Sequence, residues 1–271
     1  MEYARNLLRS CPENSVLVTG GDIDTWAVLY VQLAEGFRSD VKVCSFDLMG
    51  ISHYRRWLKT QGFPITSEDE NLDKIKSVRL KNRIMLPGEN LLHHMEMVSR
   101  QNSPDSVLDS PPIFLSAAMP PEKREGFLIN SMLTGIAYQI VDDTVSTNLV
   151  NVDRTMDLLY SEFTYEALPD SIPEKPRKYS EILPRNYASS AMALILAIGE
   201  KDPATFTEKD RQTLLRAVDG ATESFPFVWQ VWVVSADALT AHKMNDRLAT
   251  LREKAVELYP DNGQLKTLMG I

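Results

Sequence analysis

Three aspartates follow two apolar runs of the sequence, and they are the residues best suited to chemistry. Asp22 and Asp24 come shortly after residues 15–19 (SVLVT), and Asp47 comes directly after residues 41–46 (VKVCSF). If both runs are neighbouring parallel strands, their carboxyl ends meet at one edge of a sheet, where open α/β sheets bind ligands. Carboxylate oxygens are the ligands that a hard cation such as Mg²⁺ prefers. The three aspartates are therefore a candidate site for a divalent cation, and the sequence indicates no other cofactor.

The loop after the first run reads Gly20-Gly21-Asp22-Ile23-Asp24-Thr25. The candidate ligand-binding residues are Gly20, Gly21, Asp22, Asp24 and Thr25, together with Asp47. The Asp-x-Asp triplet is similar to the metal–nucleotide motif of some glycosyltransferases and to the nucleophile loop of haloacid-dehalogenase-like phosphatases, but it fits neither well, and chance also produces such triplets. A structural role explains the same residue types, because Asp24 would cap the following helix and Asp22 would stabilise the glycine turn. The sequence leaves both interpretations open.

The sequence predicts no catalytic residue. Acyl, glycosyl or phosphoryl transfer needs a nucleophile or base with an orienting partner, and no His, Lys or Cys near the aspartates completes such a set. His93 and His94 are adjacent, so their side chains point about 100° apart on a helix. No Ser lies in a Gly-x-Ser-x-Gly motif, and no His or Cys spacing matches a zinc site.

The composition disfavours nucleic acid as a partner, and the sequence predicts no membrane-spanning segment. Lys and Arg total 29 against 37 Asp and Glu, which gives a net charge of −8 that disfavours binding to nucleic acid. No apolar run approaches the roughly 18 residues that cross a bilayer, so the sequence predicts no membrane-spanning segment in this chain. Cys11 and Cys44 leave a disulfide open, because sequence does not give the separation of their Cα atoms.

The elements that position the aspartates form a βαβ pattern. Between residues 15–19 and residues 41–46 lies a predicted helix that begins at Thr25, has Trp26, Leu29, Tyr30 and Leu33 on one face, and ends at Gly36. A strand–helix–strand unit of this length implies a right-handed crossover and parallel pairing of the two strands. Further strands are predicted at residues 113–117 and 135–141.

The chain is predicted to have two parts joined by a linker. Residues 1–168 form a Rossmann-like α/β domain with a mostly parallel sheet, and residues 185–271 form a helical domain. Residues 169–184 contain four prolines, at positions 169, 173, 176 and 184, and this density marks a domain boundary.

A repeat appears in the helical part. Residues 221–226 (ATESFP) match residues 255–260 (AVELYP) in type at an offset of 34, which is the period of tetratricopeptide repeats. The alternative is a generic pair of helical hairpins. Trp229 and Trp232 are three residues apart and share a helix face, either as core packing or as part of a peptide-binding groove.

Several segments carry a family resemblance: residues 3–8 (YARNLL), 10–12 (SCP), 14–26 (NSVLVTGGDIDTW) and 35–43 (EGFRSDVKV), with shorter matches at 112–116, 135–138, 151–153 and 185–187. They resemble the soluble C-terminal region of a family of bacterial multi-spanning membrane proteins. That family is of unknown function and is often labelled protein O-mannosyltransferase-like. One departure is Ile23, which stands between the two aspartates where the family usually has Asn after Gly-Asp.

The resemblance implies an envelope location, periplasmic or otherwise outside the cytoplasm, and an accessory role. Sugar transfer does not carry over, because the membrane-embedded part of the family is absent from this sequence. We therefore expect a non-catalytic interaction module, linked to glycosylation or surface-polymer assembly, with a protein or peptide partner on the helical repeats. The alternatives are a metal-dependent enzyme and a small-ligand binding protein, each acting at Asp22, Asp24 and Asp47.

Overall fold

The computed structural model of the chain describes residues 1–81, 83–101, 111–128, 130–141, 149–166 and 183–271. The chain divides into two compact units, Met1–Thr147 and Asn148–Ile271. The linker predicted at 169–184 lies outside the described residues except for its last two, which already belong to a helix. The predicted division at residues 168 and 185 stays a prediction.

The first unit alternates helices with short strands. Its elements are α1 Glu2–Arg9, β1 Val16–Thr19, α2 Asp22–Glu35, β2 Lys42–Ser45, α3 Ser52–Thr60, α4 Asp69–Lys74, β3 Val78–Arg79, β4 Ile84–Met85, α5 Pro87–Gln101, β5 Ile113–Ser116, α6 Pro121–Leu128, β6 Ser131–Thr134 and β7 Ala137–Ile140. A single 3₁₀ turn, Leu48–Gly50, joins β2 to α3.

The main sheet has five strands in the order β2-β1-β5-β7-β6. β1 pairs in parallel with β2, with Val16 opposite Lys42 and Thr19 opposite Ser45, so the predicted parallel pairing of the first two strands is confirmed. β1 also pairs in parallel with β5, whereas β7 is antiparallel to both β5 and β6. The sheet is therefore mixed, and the prediction of a mostly parallel sheet is corrected.

The antiparallel part arises from one tight turn. β6 and β7 form a hairpin in which Thr134 pairs with Ala137, so only Gly135 and Ile136 lie between them. Gly135 has a φ of 61°, the backbone that the first residue of a two-residue type II′ turn requires. The apolar run 135–141 suggested a single strand, but its first two residues are the turn.

The central strands β1 and β5 of the sheet are buried on both sides. All four residues of β1 are buried, and successive side chains of a strand point to opposite faces. Val16 and Val18 belong to a core cluster with Leu91, Leu92 and Met95 of α5. Because β1 and β5 lack a solvated face, their sequences are largely apolar runs rather than alternating ones.

α2 presents two different apolar faces. Val28 and Val31 are fully buried. Trp26, Tyr30 and Leu33 share one face as predicted, but that face is exposed. The helix ends as predicted at Gly36, whose φ of 65° makes it a left-handed cap.

The two cysteines are free and buried. Each thiol is directed at a main-chain carbonyl, Cys11 at Leu7 and Cys44 at Leu17. Burial raises the pKa of the Cys11 thiol to about 12 and also raises the pKa of Cys44. Both cysteines therefore pack in the interior of the first unit.

The second unit is helical in its described part. Its elements are α7 Val152–Asp157, a π-helical turn Leu158–Glu162, α8 Leu183–Gly199, α9 Glu208–Ser224, α10 Trp229–Ala241, α11 Asn245–Leu258 and α12 Gly263–Met269. α8 packs against α9 and α10, and α10 packs against α11 and α12. Across the described parts of both units, no helix is long and apolar enough to cross a membrane.

The two indole rings of the second unit differ in exposure. Trp232 is 2% exposed, and its Nε1 donates a hydrogen bond to the carbonyl of Pro226 at 3.1 Å. Trp229 is half-buried. The interpretation of Trp232 as core packing is confirmed, because its ring and its N–H are both satisfied inside the helical stack.

Candidate functional site

The loop between β1 and α2 is held together by Asp24. Its side chain is buried, and its carboxylate accepts hydrogen bonds from the backbone N–H groups of Gly20 at 2.9 Å and Gly21 at 3.1 Å. α2 begins at Asp22, so Asp24 caps the helix from its third position. The prediction that Asp24 itself is the N-cap residue is wrong, because the helix starts three residues earlier than predicted and its N-cap is Gly21.

Thr25 joins this loop to the strands. Its hydroxyl lies 2.6 Å from the hydroxyl of Thr19, which donates to the carbonyl of Cys44 at 3.0 Å. Since the Thr19 proton is directed at Cys44, Thr25 donates to Thr19. Both threonines are buried. Thr25 therefore links α2 to β1 and β2 and faces the protein interior.

Asp47 lies where the sequence places it, beside the glycine turn. A Cβ atom built on Gly21 would be 3.7 Å from the Asp47 carboxylate. That carboxylate pairs with the ammonium of Lys123 at 2.5 Å, and the same ammonium donates to the carbonyl of Gly20 at 3.0 Å. A lysine thus occupies the position at which the sequence predicts a cation.

Lys123 is the residue that the sequence analysis missed. It belongs to α6 and lies 103 positions from Gly20 along the chain. One signal was available, since Lys123 follows the predicted strand 113–117 and parallel strands bring their carboxyl ends to the same edge. The Gly20 carbonyl follows β1, Asp47 follows β2 and Lys123 follows β5. The three groups form one hydrogen-bonded ion-pair cluster at the ends of these strands.

The crevice between β1 and β5 is closed at the carboxyl ends of the two strands. The chain leaves β1 toward β2 and leaves β5 toward β7 and β6, so the gap between β1 and β5 is the topological switch point. A Cβ atom built on Gly20 would overlap the backbone of Met119, which is itself buried. The loop after β5 therefore fills the space in which such sheets hold ligands.

The three predicted metal ligands face different surroundings. Asp24 bonds to backbone N–H groups, Asp47 pairs with Lys123, and Asp22 is exposed. Within the described residues, no group of three or more His, Cys, Asp or Glu side chains could hold a metal ion. The metal site stays a prediction that this arrangement does not favour.

A second polar cluster lies on α5. The buried carboxylate of Glu89 pairs with Arg83 at 2.6 Å, and the His93 ring lies 3.8 Å from it. The other ring nitrogen of His93 is 3.4 Å from Glu96, and the ring packs on Phe127 with 4.4 Å between centroids. The sequence signal was the spacing of Glu89, His93 and Glu96 on one helix face. These contacts tie α5 to α6 and to the segment before α5.

The packing around Glu89 is tight. A Cβ atom built on Gly126 of α6 would overlap a carboxylate oxygen of Glu89, so a larger residue there would force the Glu89 side chain to move. The cluster is therefore a packed contact between α5 and α6.

Comparison with known proteins gives one finding. Residues 1–76 match the family model described as TMEM260-associated domain 2. No match was found among curated proteins or among solved structures. Residues 3–43, which carry most of the sequence resemblance, lie inside the matched segment, and the match links the chain to the TMEM260 family, a membrane protein family of unknown function.

Proposed function

We propose that the chain is a non-catalytic interaction module of the cell envelope, with a tetratricopeptide-like helical stack as its binding scaffold. The observation that carries this proposal is a structural recurrence in the second unit. α9 and α11 end at Ser224 and Leu258, and α10 and α12 begin at Trp229 and Gly263. Both offsets are 34 residues (258 − 224 and 263 − 229), the period of tetratricopeptide repeats.

The turns that follow α9 and α11 also share their backbone geometry. Phe225 after α9 has φ −129° and ψ 47°, and Tyr259 after α11 has φ −130° and ψ 59°. Their N–H groups donate to the carbonyls of Ala221 at 2.9 Å and Ala255 at 3.0 Å. A proline follows each of these residues, Pro226 and Pro260, and prevents the helix from continuing. Matching dihedrals at matching positions favour true repeats over two unrelated hairpins.

The order of helix packing supports the same interpretation. α8, α10 and α12 form one layer, to which α9 and α11 add as the second helix of each pair. A Cβ atom built on Gly199 of α8 would lie 2.9 Å from that of Ala238 on α10, so small residues set the close approach within the layer. Stacks in which each pair contacts its neighbours present extended surfaces that bind other proteins.

The first unit supports the non-catalytic part of the proposal. Asp24 is satisfied by backbone donors and Asp47 by an ammonium, so neither carboxylate is a ready base or metal ligand. The proposed envelope location rests on the family link, and the proposed tie to glycosylation or surface-polymer assembly rests on the resemblance. The partner is then a protein or peptide of the same compartment.

Site-specific photo-crosslinking in the native cell tests the proposal. A photo-reactive residue would replace Ser189 of α8 or Gln230 of α10, both exposed on the first layer. Matched controls are the exposed Lys209 of α9 and Lys254 of α11 on the other layer. We expect one defined envelope protein to crosslink at Ser189 and Gln230 and not at the controls. Equal crosslinking at all four positions, or a cytosolic location of the native chain, contradicts the proposal.

A further inference from the structure

α2 carries an exposed apolar stripe that nothing in the proposed function uses. The stripe consists of Ile23, Trp26, Tyr30 and Leu33, which are 37%, 60%, 53% and 85% exposed. Their spacing of three, four and three residues places them on one face of the helix. Large apolar side chains in one contiguous patch mark interaction sites, and Trp and Tyr are the usual anchors of such sites.

The stripe is symmetric along the helix. Position 28 is the midpoint both of Ile23 and Leu33 and of Trp26 and Tyr30. An antiparallel second copy of α2 would therefore place aliphatic opposite aliphatic and aromatic opposite aromatic. A self-complementary patch of this kind is what a two-fold interface requires.

We propose that the chain forms a two-fold homodimer through antiparallel packing of the α2 stripe on the α2 stripe of a second copy. Residues spaced by three, four and three positions form the seam of a coiled coil, along which two helices interlock their side chains. The proposal goes beyond the interaction function of the second unit, because it uses only residues of the first.

The charges around the stripe permit this pairing. Glu35, near one end, is neutralised by Arg5 through two hydrogen bonds of 2.6 and 2.8 Å. α2 contains no Lys or Arg, so the stripe lacks the basic flanks with which amphipathic helices bind anionic membranes. These features favour a second copy over a lipid surface.

The size of the stripe sets the strength of the dimer. A fully covered aromatic side chain buries about 150–250 Å², so the exposed parts of the four side chains offer roughly 500 Å² per copy. Stable interfaces bury about 800 Å² per partner. The dimer should therefore be weak and depend on concentration.

Sedimentation velocity of the full chain over a wide range of concentration tests the dimer. We expect reversible monomer–dimer exchange, and we expect Trp26→Ala and Leu33→Glu each to weaken it by about tenfold or more. Leu258→Glu is the matched control, because Leu258 is 52% exposed on α11 and should leave association unchanged. Thermal melting shows whether each variant is folded.

A charge swap tests the antiparallel register. Ile23→Glu with Leu33→Glu, and Ile23→Lys with Leu33→Lys, should each abolish self-association by placing like charges opposite one another. Mixing the two double variants should restore a heterodimer. A wild-type chain that is monomeric at every concentration overturns the proposal. So does a dimer that the stripe variants leave intact, or lipid-vesicle binding that requires Trp26.

Discussion

At the scale of single residues, Lys123 decides what the strand-end loop can do. Its ammonium bonds to Asp47 and to the carbonyl of Gly20, and its side chain is 19% exposed. A fixed ammonium supplies the positive charge that a carboxylate at a strand end would otherwise draw from a metal ion. The same contact holds α6 against the loop between β1 and α2, so Asp47 and Lys123 contribute to the fold.

Asp24 gives a residue-scale prediction. Asp24→Ala would leave the N–H groups of Gly20 and Gly21 without their acceptor, and Gly20 is buried. A buried donor left unpaired costs about 1–3 kcal/mol, so we expect a loss of about 2–4 kcal/mol in the free energy of unfolding. Urea unfolding measures it.

Asp22 is the matched control for that experiment. It lies on the first turn of the same helix, but its side chain is exposed. Asp22→Ala should change the free energy of unfolding by no more than about 0.5 kcal/mol. Equal effects of the two substitutions would contradict the assignment of the cap to Asp24.

His94 gives a pH prediction. Burial lowers the pKa of His94 from its ordinary value of 6.5, and its Nε2 accepts the N–H of Thr66 at 3.3 Å. The unfolded chain therefore takes up the proton first as the pH falls. The contribution of His94 to stability is present above pH 6.5 and is lost as the pH falls from there through the lower folded pKa.

Comparing the wild type with a His94 variant separates the effect of His94 on stability from the pH dependence that the carboxylates cause. The free energy of unfolding of the wild type, minus that of His94→Gln, should decrease as the pH is lowered from neutrality to below 6.5. A difference that stays flat, or that increases on acidification, would show that His94 is not held in its neutral form.

At the scale of elements, the repeat makes a packing prediction. Ala221 and Ala255 are both fully buried at equivalent positions of α9 and α11. Leucine at either position would overpack a helix contact, so Ala221→Leu and Ala255→Leu should each destabilise the chain by about 1–3 kcal/mol.

Ala249 of α11 is the control for this pair, because it is exposed on the same helix. Ala249→Leu should change stability by no more than about 0.5 kcal/mol. Thermal melting distinguishes the outcomes, and a neutral Ala255→Leu would mean that the recurrence of sequence at 34 residues carries no common packing.

The elements also show what a sequence of this kind can predict. Continuous apolar runs revealed β1, β2 and β5, and their spacing implied the parallel pairing of β1 with β2. The hairpin of β6 and β7 was missed because its buried turn residue Ile136 is as apolar as the strands beside it. Periodicity placed Trp26, Tyr30 and Leu33 on one face of α2, but Val28 and Val31 form a second apolar face, and periodicity does not choose between them.

The candidate site shows the same limit at longer range. Local sequence placed Asp22, Asp24 and Asp47 at neighbouring strand ends, and the structure confirms that Asp47 lies beside the glycine turn. The contacts of Lys123 and Met119 with the loop were missed, because both residues follow a long crossover; the one signal was that Lys123 comes after the predicted strand 113–117. Contacts between residues a hundred positions apart depend on the whole topology, which no local pattern contains.

At the scale of the whole molecule, the two units carry different features. The first unit carries the segment that matches the TMEM260-associated model, an internally satisfied strand-end loop and the exposed stripe of α2. The second unit carries the repeated helix joints. In both proposals binding belongs to helix surfaces, and the contact of Lys123 with Asp47 and Gly20 at the edge of the sheet is structural.

Calorimetric titration of the chain with Mg²⁺ and with Mn²⁺ tests this central claim most directly, because the competing interpretation is a metal-dependent enzyme at Asp22, Asp24 and Asp47. We predict no saturable binding in the micromolar range for the wild type, and the same result for Asp47→Asn. Micromolar binding that is abolished by Asp22→Asn or Asp47→Asn would contradict the account and would assign the strand ends to metal-dependent chemistry.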